Sequence, residues 1–183
     1  AIDTACSSSM FAFHQACNAI RSGEIEQALA GGICLHLHPY GFIAFSKATM
    51  LSPTGRCQVF DQSADGYVRS EGGGLFFLKD YEAALRDGDE IIAIAAGSGV
   101  NTDGYKSGLT LPNPDAQATL MAKTYQNAGI SVEQIDYLEA HGTGTAVGDP
   151  IETRAIGLAL AQNRSTPLPI GSIKSNLGHM ETA

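Results

Sequence analysis

Apolar residues fill nearly every position of 10–20 (MFAFHQACNAI), follow a cluster of serines and stop at Arg21-Ser22-Gly23. That pattern predicts a helix over 7–20, capped by the serines, ended by Gly23 and buried on most faces between layers. Residues 27–37 (QALAGGICLHL) predict a buried strand containing a glycine pair. Residues 42–74 have no sustained period and read as loops and short helices, with turns at Ser52-Pro53-Thr54-Gly55 and Asp65-Gly66. A short strand over 75–78, a helix to about 87 and a second buried strand over 90–100 (EIIAIAAGSGV) follow. Further on, Asp115 is placed to cap a helix running to about 128, with Gly129 as its stop. Residues 135–139 predict a strand, Pro150 fits the first turn of a helix through 161, and 168–173 predict a last strand. Strands alternating with helices indicate an α/β architecture with largely buried sheets.

Composition narrows the class. The 183 residues are 44% hydrophobic and 16% charged, a globular balance with enough chain for a sizeable core. Net charge is −8, and Lys and Arg are nowhere clustered, so no basic stripe is available to displace counterions from phosphates; nucleic acid is not an expected partner. No apolar run approaches the roughly 20 residues that span a bilayer, and the start Ala-Ile-Asp-Thr-Ala-Cys has no basic n-region, so neither membrane insertion nor a signal peptide is expected. The four cysteines (Cys6, Cys17, Cys34, Cys57) contain no C-x-x-C pair and read as reduced thiols of a cytoplasmic protein, with Cys17 and Cys34 as small core residues. A chain that begins on one motif and stops just after another is expected to be a piece of something longer.

Three separated patches carry the candidate chemistry: Asp3-Thr4-Ala5-Cys6-Ser7-Ser8-Ser9, Glu139-Ala140-His141-Gly142-Thr143-Gly144-Thr145 and Lys174-Ser175-Asn176-Leu177-Gly178-His179. Cys6 precedes the first helix among tiny neighbours, where a helix N-terminus favours thiolate. A thiolate attacks a thioester with little change in leaving group, so the acyl enzyme forms reversibly and survives for transfer. Gly142 and Gly144 allow a ligand close to the backbone, and the hydroxyls of Thr143 and Thr145 can bond an amide-bearing one. His179 is expected to open a helix, whose dipole would keep its ring neutral and able to donate to an enolate oxygen. Two imidazoles beside one thiol differ from a protease set, in which one His is the base and a third residue orients it. They suit decarboxylation of a malonyl group, which generates an enolate that must be held until it attacks. Lys174 could stabilise charge there or position a histidine. Each residue has a structural alternative: a buried thiol, a satisfied core imidazole, an ion-paired lysine.

The patches DTACSSS, EAHGTGT and KSNLGH resemble the three active-site motifs of β-ketoacyl synthase domains, in the form seen in type I polyketide synthases. The connecting stretches SPTGRCQVFDQSADGYVRSEGGG and GSGVNTDG are similar to that family as well, so the likeness covers essentially the whole chain. It implies a thiolase-like fold of layered αβαβα type with two related halves, one ending near residue 88 and the other starting near 89, and incomplete here. It implies a homodimer within a multifunctional synthase, working with acyl carrier protein and neighbouring domains. Substrates would arrive on the phosphopantetheine of the carrier, with no cofactor or metal bound directly. Carried over by position, Cys6 is the acylated nucleophile, His141 and His179 support decarboxylation and condensation, Lys174 is the accessory lysine, and Thr143 and Thr145 contact the phosphopantetheine arm. The family also has segments before the first motif and after the last, including a Gly-rich loop that completes the oxyanion hole; this piece alone is expected to be poorly folded or inactive.

Minor features are read as structural. His14 is expected to be a hydrogen-bonded core residue. Cys34, His36 and His38 alternate along the expected strand without a sensible fourth metal ligand. Gly72-Gly73-Gly74 reads as tight turns, since no Lys-Ser/Thr follows it. Arg56, Asp61, Asp65 and Arg69 are expected to form salt bridges. Two other functions remain open from the residues alone: thiol-dependent acyl transfer without decarboxylation, and a non-catalytic docking or dimer-forming remnant whose Cys6 would be unreactive.

Overall fold

The computed structural model describes every residue except Ser107, Leu109 and Asn163. In chain order its elements are α1 (Ser8–Arg21), β1 (Gln27–Cys34), α2 (Tyr40–Lys47), β2 (Gly72–Lys79), α3 (Tyr81–Asp87), α4 (Pro114–Asn127), β3 (Leu138–Glu139), α5 (Gly148–Ile156), β4 (Ile170–Gly171) and α6 (Lys174–Leu177). No helix among the described residues is long and apolar enough to cross a membrane. The chain divides into two compact units, one of Ala1–Leu35, Glu71–Val100 and Met180–Ala183, the other of His36–Ser70 and Asn101–His179.

In the first unit β1 and β2 form an antiparallel pair from Gln27↔Lys79 to Cys34↔Gly72. Gly72-Gly73-Gly74 therefore lies within a strand, not in the expected turns. Close approach is the physical reason for glycine here: a Cβ on Gly31 would stand 2.0 Å from the Gly74 carbonyl oxygen. Gly31→Ala is expected to force the strands apart and cost about 1–3 kcal/mol, the scale of overpacking, read as a lower urea midpoint; an unchanged midpoint would contradict the close pairing.

Helix α1 packs on this pair, with Phe13 meeting Phe76 edge-on at 5.6 Å between centroids. Burial is one-sided: Met10 is 64% exposed, against the expectation of a helix covered on most faces. Gly23 does end the helix, at φ +74°, with its N–H donated to the Ile20 carbonyl. Cys17 and Cys34 are buried as expected, and burial pushes the Cys17 thiol pKa up. His14 is bonded as expected, Nδ1 to Ser98 Oγ and Nε2 to Asn18 Nδ2, both at 2.9 Å. The strand expected over 90–100 does not form; Ile92 is 94% exposed. An apolar, β-branched run supplies propensity, but a ladder needs a neighbour.

In the second unit β3 and β4 run parallel, Leu138 opposite Ile170 and Glu139 opposite Gly171. Strand β4 starts later than expected because Pro167 and Pro169 precede it and have no N–H to donate. Ile135, Ala140, Ile156 and Leu160 form the buried core, with Met121 and Tyr125 of α4 packed against it. The cap of α4 is Asn113, whose side chain accepts from the N–H groups of Asp115 and Ala116 at 3.0 and 3.2 Å. Asp115 is thus inside the helix, and Pro114 takes the first-turn place that tolerates a missing donor. Helix α5 passes into a π-helical turn over Gly157–Ala161 where a continuous helix was expected. Strand β1 ends at Cys34, so the strand alternation expected for His36 and His38 does not hold. Asp61 accepts from Ser63 and Asp65 from Thr54, while Arg69 lies over the Phe42 ring at 4.7 Å.

Candidate active site

Cys6 is exposed and follows Ala5, which sits in the left-handed region at φ +56°. A side chain at that φ is strained, and such strain persists only where neighbours fix it. Here Asp3 Oδ1 accepts the Ala5 N–H at 3.0 Å, and the Ala5 carbonyl accepts from Ser8 Oγ at 2.7 Å and from the Ser8 N–H at 3.1 Å. Ser8 Oγ also accepts the Thr4 N–H at 2.9 Å, while Ser7 Oγ donates back to the Thr4 carbonyl. The serines therefore build the turn that presents Cys6 and do not cap the helix as the sequence suggested; Ser7 makes no side-chain cap bond.

In the second unit the loop after β3 carries His141, Thr143 and Thr145. Two carboxylates of α5, one turn apart, hold it. Glu152 accepts the N–H groups of His141 and Gly142 at 2.7 and 2.8 Å. Asp149, 4% exposed, accepts those of Phe60 and Gly144 at 2.7 and 3.1 Å. Gly144 is at φ +78°, and a Cβ there would meet the Gln58 nitrogen at 2.7 Å. Thr143 Oγ1 lies 3.1 Å from Thr145 Oγ1, which accepts the Gly148 N–H at 3.1 Å. The threonine hydroxyls are thereby fixed relative to the start of α5.

His179 is 3% exposed and opens no helix. It sits in a backbone bridge, its N–H donated to the Val68 carbonyl at 2.7 Å and its own carbonyl accepting from Ser70 at 3.0 Å. The dipole expected to act on its ring is therefore absent. Packing orients the ring instead: Tyr67 stands at 5.1 Å and His141 at 5.4 Å, interplanar 85° in the second case. Lys174, at the start of α6, sets its charge towards His141.

His141 is reached by solvent at its surface but hemmed in by protein elsewhere. Lost hydration, followed by the Lys174 charge and opposed by Asp149, holds its pKa down at about 4. The ring is thus neutral at physiological pH. Because the folded value lies below the ordinary 6.5, this group's contribution to stability is present above pH 6.5 and lost as pH falls towards 4. The expected result is a His141 imidazole NMR midpoint near 4 and no contribution of this ring to a rate limb near 6.5; a midpoint of 6 to 7 would contradict the burial and charge described.

His141, His179, Lys174, Thr143 and Thr145 belong to the second unit, Cys6 to the first. Sequence reasoning missed Asp149, Glu152 and Tyr67. The acidic pair in Gly148-Asp149-Pro150-Ile151-Glu152 was legible as a signal, since carboxylates at the start of a helix just after a glycine loop are placed to accept that loop's N–H groups.

Residues 1–84 match the family model described as Beta-ketoacyl synthase, N-terminal domain, and residues 92–183 that of its C-terminal domain. The chain belongs to the β-ketoacyl synthase family. Over its full length it is 50% identical to a phenolphthiocerol/phthiocerol polyketide synthase of Mycobacterium tuberculosis and to highly reducing polyketide synthase alnA of Emericella nidulans. It spans 10% and 8% of their respective lengths. Among solved structures, the ketosynthase from module 6 of the bacillaene synthase of Bacillus subtilis matches with a TM-score of 0.97 and 43% identity, over all of this chain and 33% of that one. The oxazolomycin ketosynthase domain of Streptomyces albus matches with a TM-score of 0.96, also at 43% identity, over all of this chain and 32% of its own. The α/β, thiolase-like fold class expected from the sequence is thereby established for this β-ketoacyl synthase segment.

Proposed function

We propose that this segment carries the reacting groups of a polyketide-type 3-oxoacyl synthase. Cys6 thiolate attacks an acyl thioester; a C–S bond forms, and the carrier thiolate leaves and takes a proton. A malonyl-type thioester then loses CO2, and the electron pair of the broken C–C bond becomes an enolate. The enolate carbon attacks the acyl-Cys6 carbonyl, a C–C bond forms, and thiolate returns to Cys6. The observation that carries this reading is the pair of imidazoles at 5.4 Å with His141 held neutral. A neutral His141 ring keeps one N–H with which to donate to a developing enolate oxygen. Lost hydration first and the Lys174 charge second favour the unprotonated His141 ring. Thr143 and Thr145 serve the phosphopantetheine arm.

The accompanying parts of the reading are a thiolase-like pair of halves meeting near residue 88, a homodimer, acyl carrier protein as the substrate partner, no cofactor bound directly, and a cytoplasmic setting. The test is CO2 release from a malonyl-pantetheine thioester by the intact condensing domain. His141→Ala and His179→Ala are each expected to lower it by about 10²–10³-fold, the scale of losing an oxyanion donor. Full release in both variants would instead favour acyl transfer without decarboxylation.

A further inference from the structure

Glu139 ends β3 two residues before His141, and nothing in the reaction above uses it. Its carboxylate reaches to the turn after β4. Oε1 accepts the N–H of Ile173, the residue immediately before Lys174, at 2.7 Å. Oε2 accepts the Tyr137 hydroxyl at 2.8 Å, and this bond is the first cause of the raised Tyr137 pKa. Gly171 leaves the space for that hydroxyl: a Cβ there would stand 2.4 Å from it. Ser172 adds a second connection, its Oγ donating to the His141 carbonyl at 3.2 Å and accepting the Lys174 N–H at 3.4 Å. The β3–β4 ladder ends at Glu139↔Gly171, so beyond it these side-chain bonds hold the His141 strand end to the Lys174 turn.

We propose that Glu139 is a positioning residue: its carboxylate fixes the turn that carries Lys174 against the strand end that leads into His141. A charge-assisted bond to a backbone N–H is short and strong, so it suits a fixed spacing. Spacing matters because the effect of an ammonium charge on an imidazole falls with distance and with solvent between them. Around His141 in this unit stand Lys174, Asp149 and Glu152 of α5, and the His179 ring. Release of the Lys174 turn weakens one of the causes that hold His141 down. Glu139's own negative charge acts the opposite way, so its simple loss lowers the His141 pKa or leaves it unmoved. The two accounts therefore differ in sign.

The proposal rests on reading His141 and Lys174 as parts of one site, but its test reads ring titration and not turnover, so it can fail while the reaction stands. Ketosynthase domains of this family are solved as separate domains. In such an intact domain with histidine-selective labels, the His141 midpoint is compared for Glu139→Ala and Glu139→Gln. The Gln variant loses the same charge but keeps a carbonyl acceptor for Ile173. The Ala variant is expected to titrate above Gln, moving from about 4 towards 6.5, and the difference is expected to vanish in a Lys174→Met background. Ile173→Pro deletes the donor while leaving Glu139 intact, at a residue whose φ of −61° suits proline, and is expected to shift His141 upward relative to Ile173→Ala, which keeps the N–H. Equal midpoints for Ala and Gln, an Ala–Gln difference that persists without Lys174, or no rise in Ile173→Pro over Ile173→Ala would each overturn the proposal.

Discussion

Cys6→Ala is expected to abolish condensation while CO2 release from a malonyl thioester continues. The expected loss in kcat/KM for chain extension is on the order of 10⁴–10⁶, the scale on which deletion of a covalent nucleophile acts. Within this chain the remaining thiols are poor substitutes: Cys17, Cys34 and Cys57 are all buried, and burial raises the Cys17 pKa, which further suppresses its thiolate. The Ala5 turn is expected to survive, because Asp3, Thr4 and Ser8 supply the bonds that hold it. Decarboxylation survives for a different reason: the groups assigned to the enolate, His141 and His179, are held by Glu152, by Asp149 and by the bridge to Val68 and Ser70. Product analysis with both thioesters present checks the first half, and CO2 release checks the second. Parallel loss of both would mean that Cys6 shapes the site as well as carrying the acyl group.

Asp149→Ala is the substitution expected to damage the second unit most. The carboxylate is buried and accepts two backbone N–H groups, from Phe60 and Gly144, in segments far apart in the chain. Each donor left unsatisfied costs about 1–3 kcal/mol, so a total of about 2–6 kcal/mol is expected in urea unfolding. Asp149→Asn keeps one acceptor oxygen and should recover part of that loss. A second readout has a definite sign. Asp149 is the one named group that pulls the His141 pKa up, so its removal is expected to carry the midpoint below about 4. A stability loss under about 1 kcal/mol would show that water replaces the carboxylate at both N–H groups, and an upward midpoint would contradict the sign of its charge effect on His141.

Much of this was legible in the chain, and the misses have physical causes. Helix α1, the stop at Gly23, the buried Cys17 and Cys34 and the three reactive patches follow from local periodicity, turn chemistry and motif. What failed was non-local. Residues 90–100 have strand composition but no paired neighbour, β4 starts late behind donor-less prolines, and Gly72-Gly73-Gly74 turned out to be a strand because Gly31 lies against it. The same holds at the site. Cys6, His141, His179 and Lys174 were singled out by residue type, whereas Asp149, Glu152 and Glu139 act through backbone N–H groups 5 to 89 positions away, or a neighbouring hydroxyl; only the acidic pair of α5 just after a glycine loop hinted at such partners. The dipole assigned to His179 failed because a backbone bridge, not a helix, follows Gly178.

Whether Cys6 carries the acyl group is read by intact and peptide mass spectrometry of the complete condensing domain after exposure to an acyl-pantetheine thioester. One acyl group is expected, located on the peptide containing Cys6 and absent in Cys6→Ala. An unmodified Cys6, or an adduct that persists in Cys6→Ala, would contradict that role and leave the three patches a structural role only.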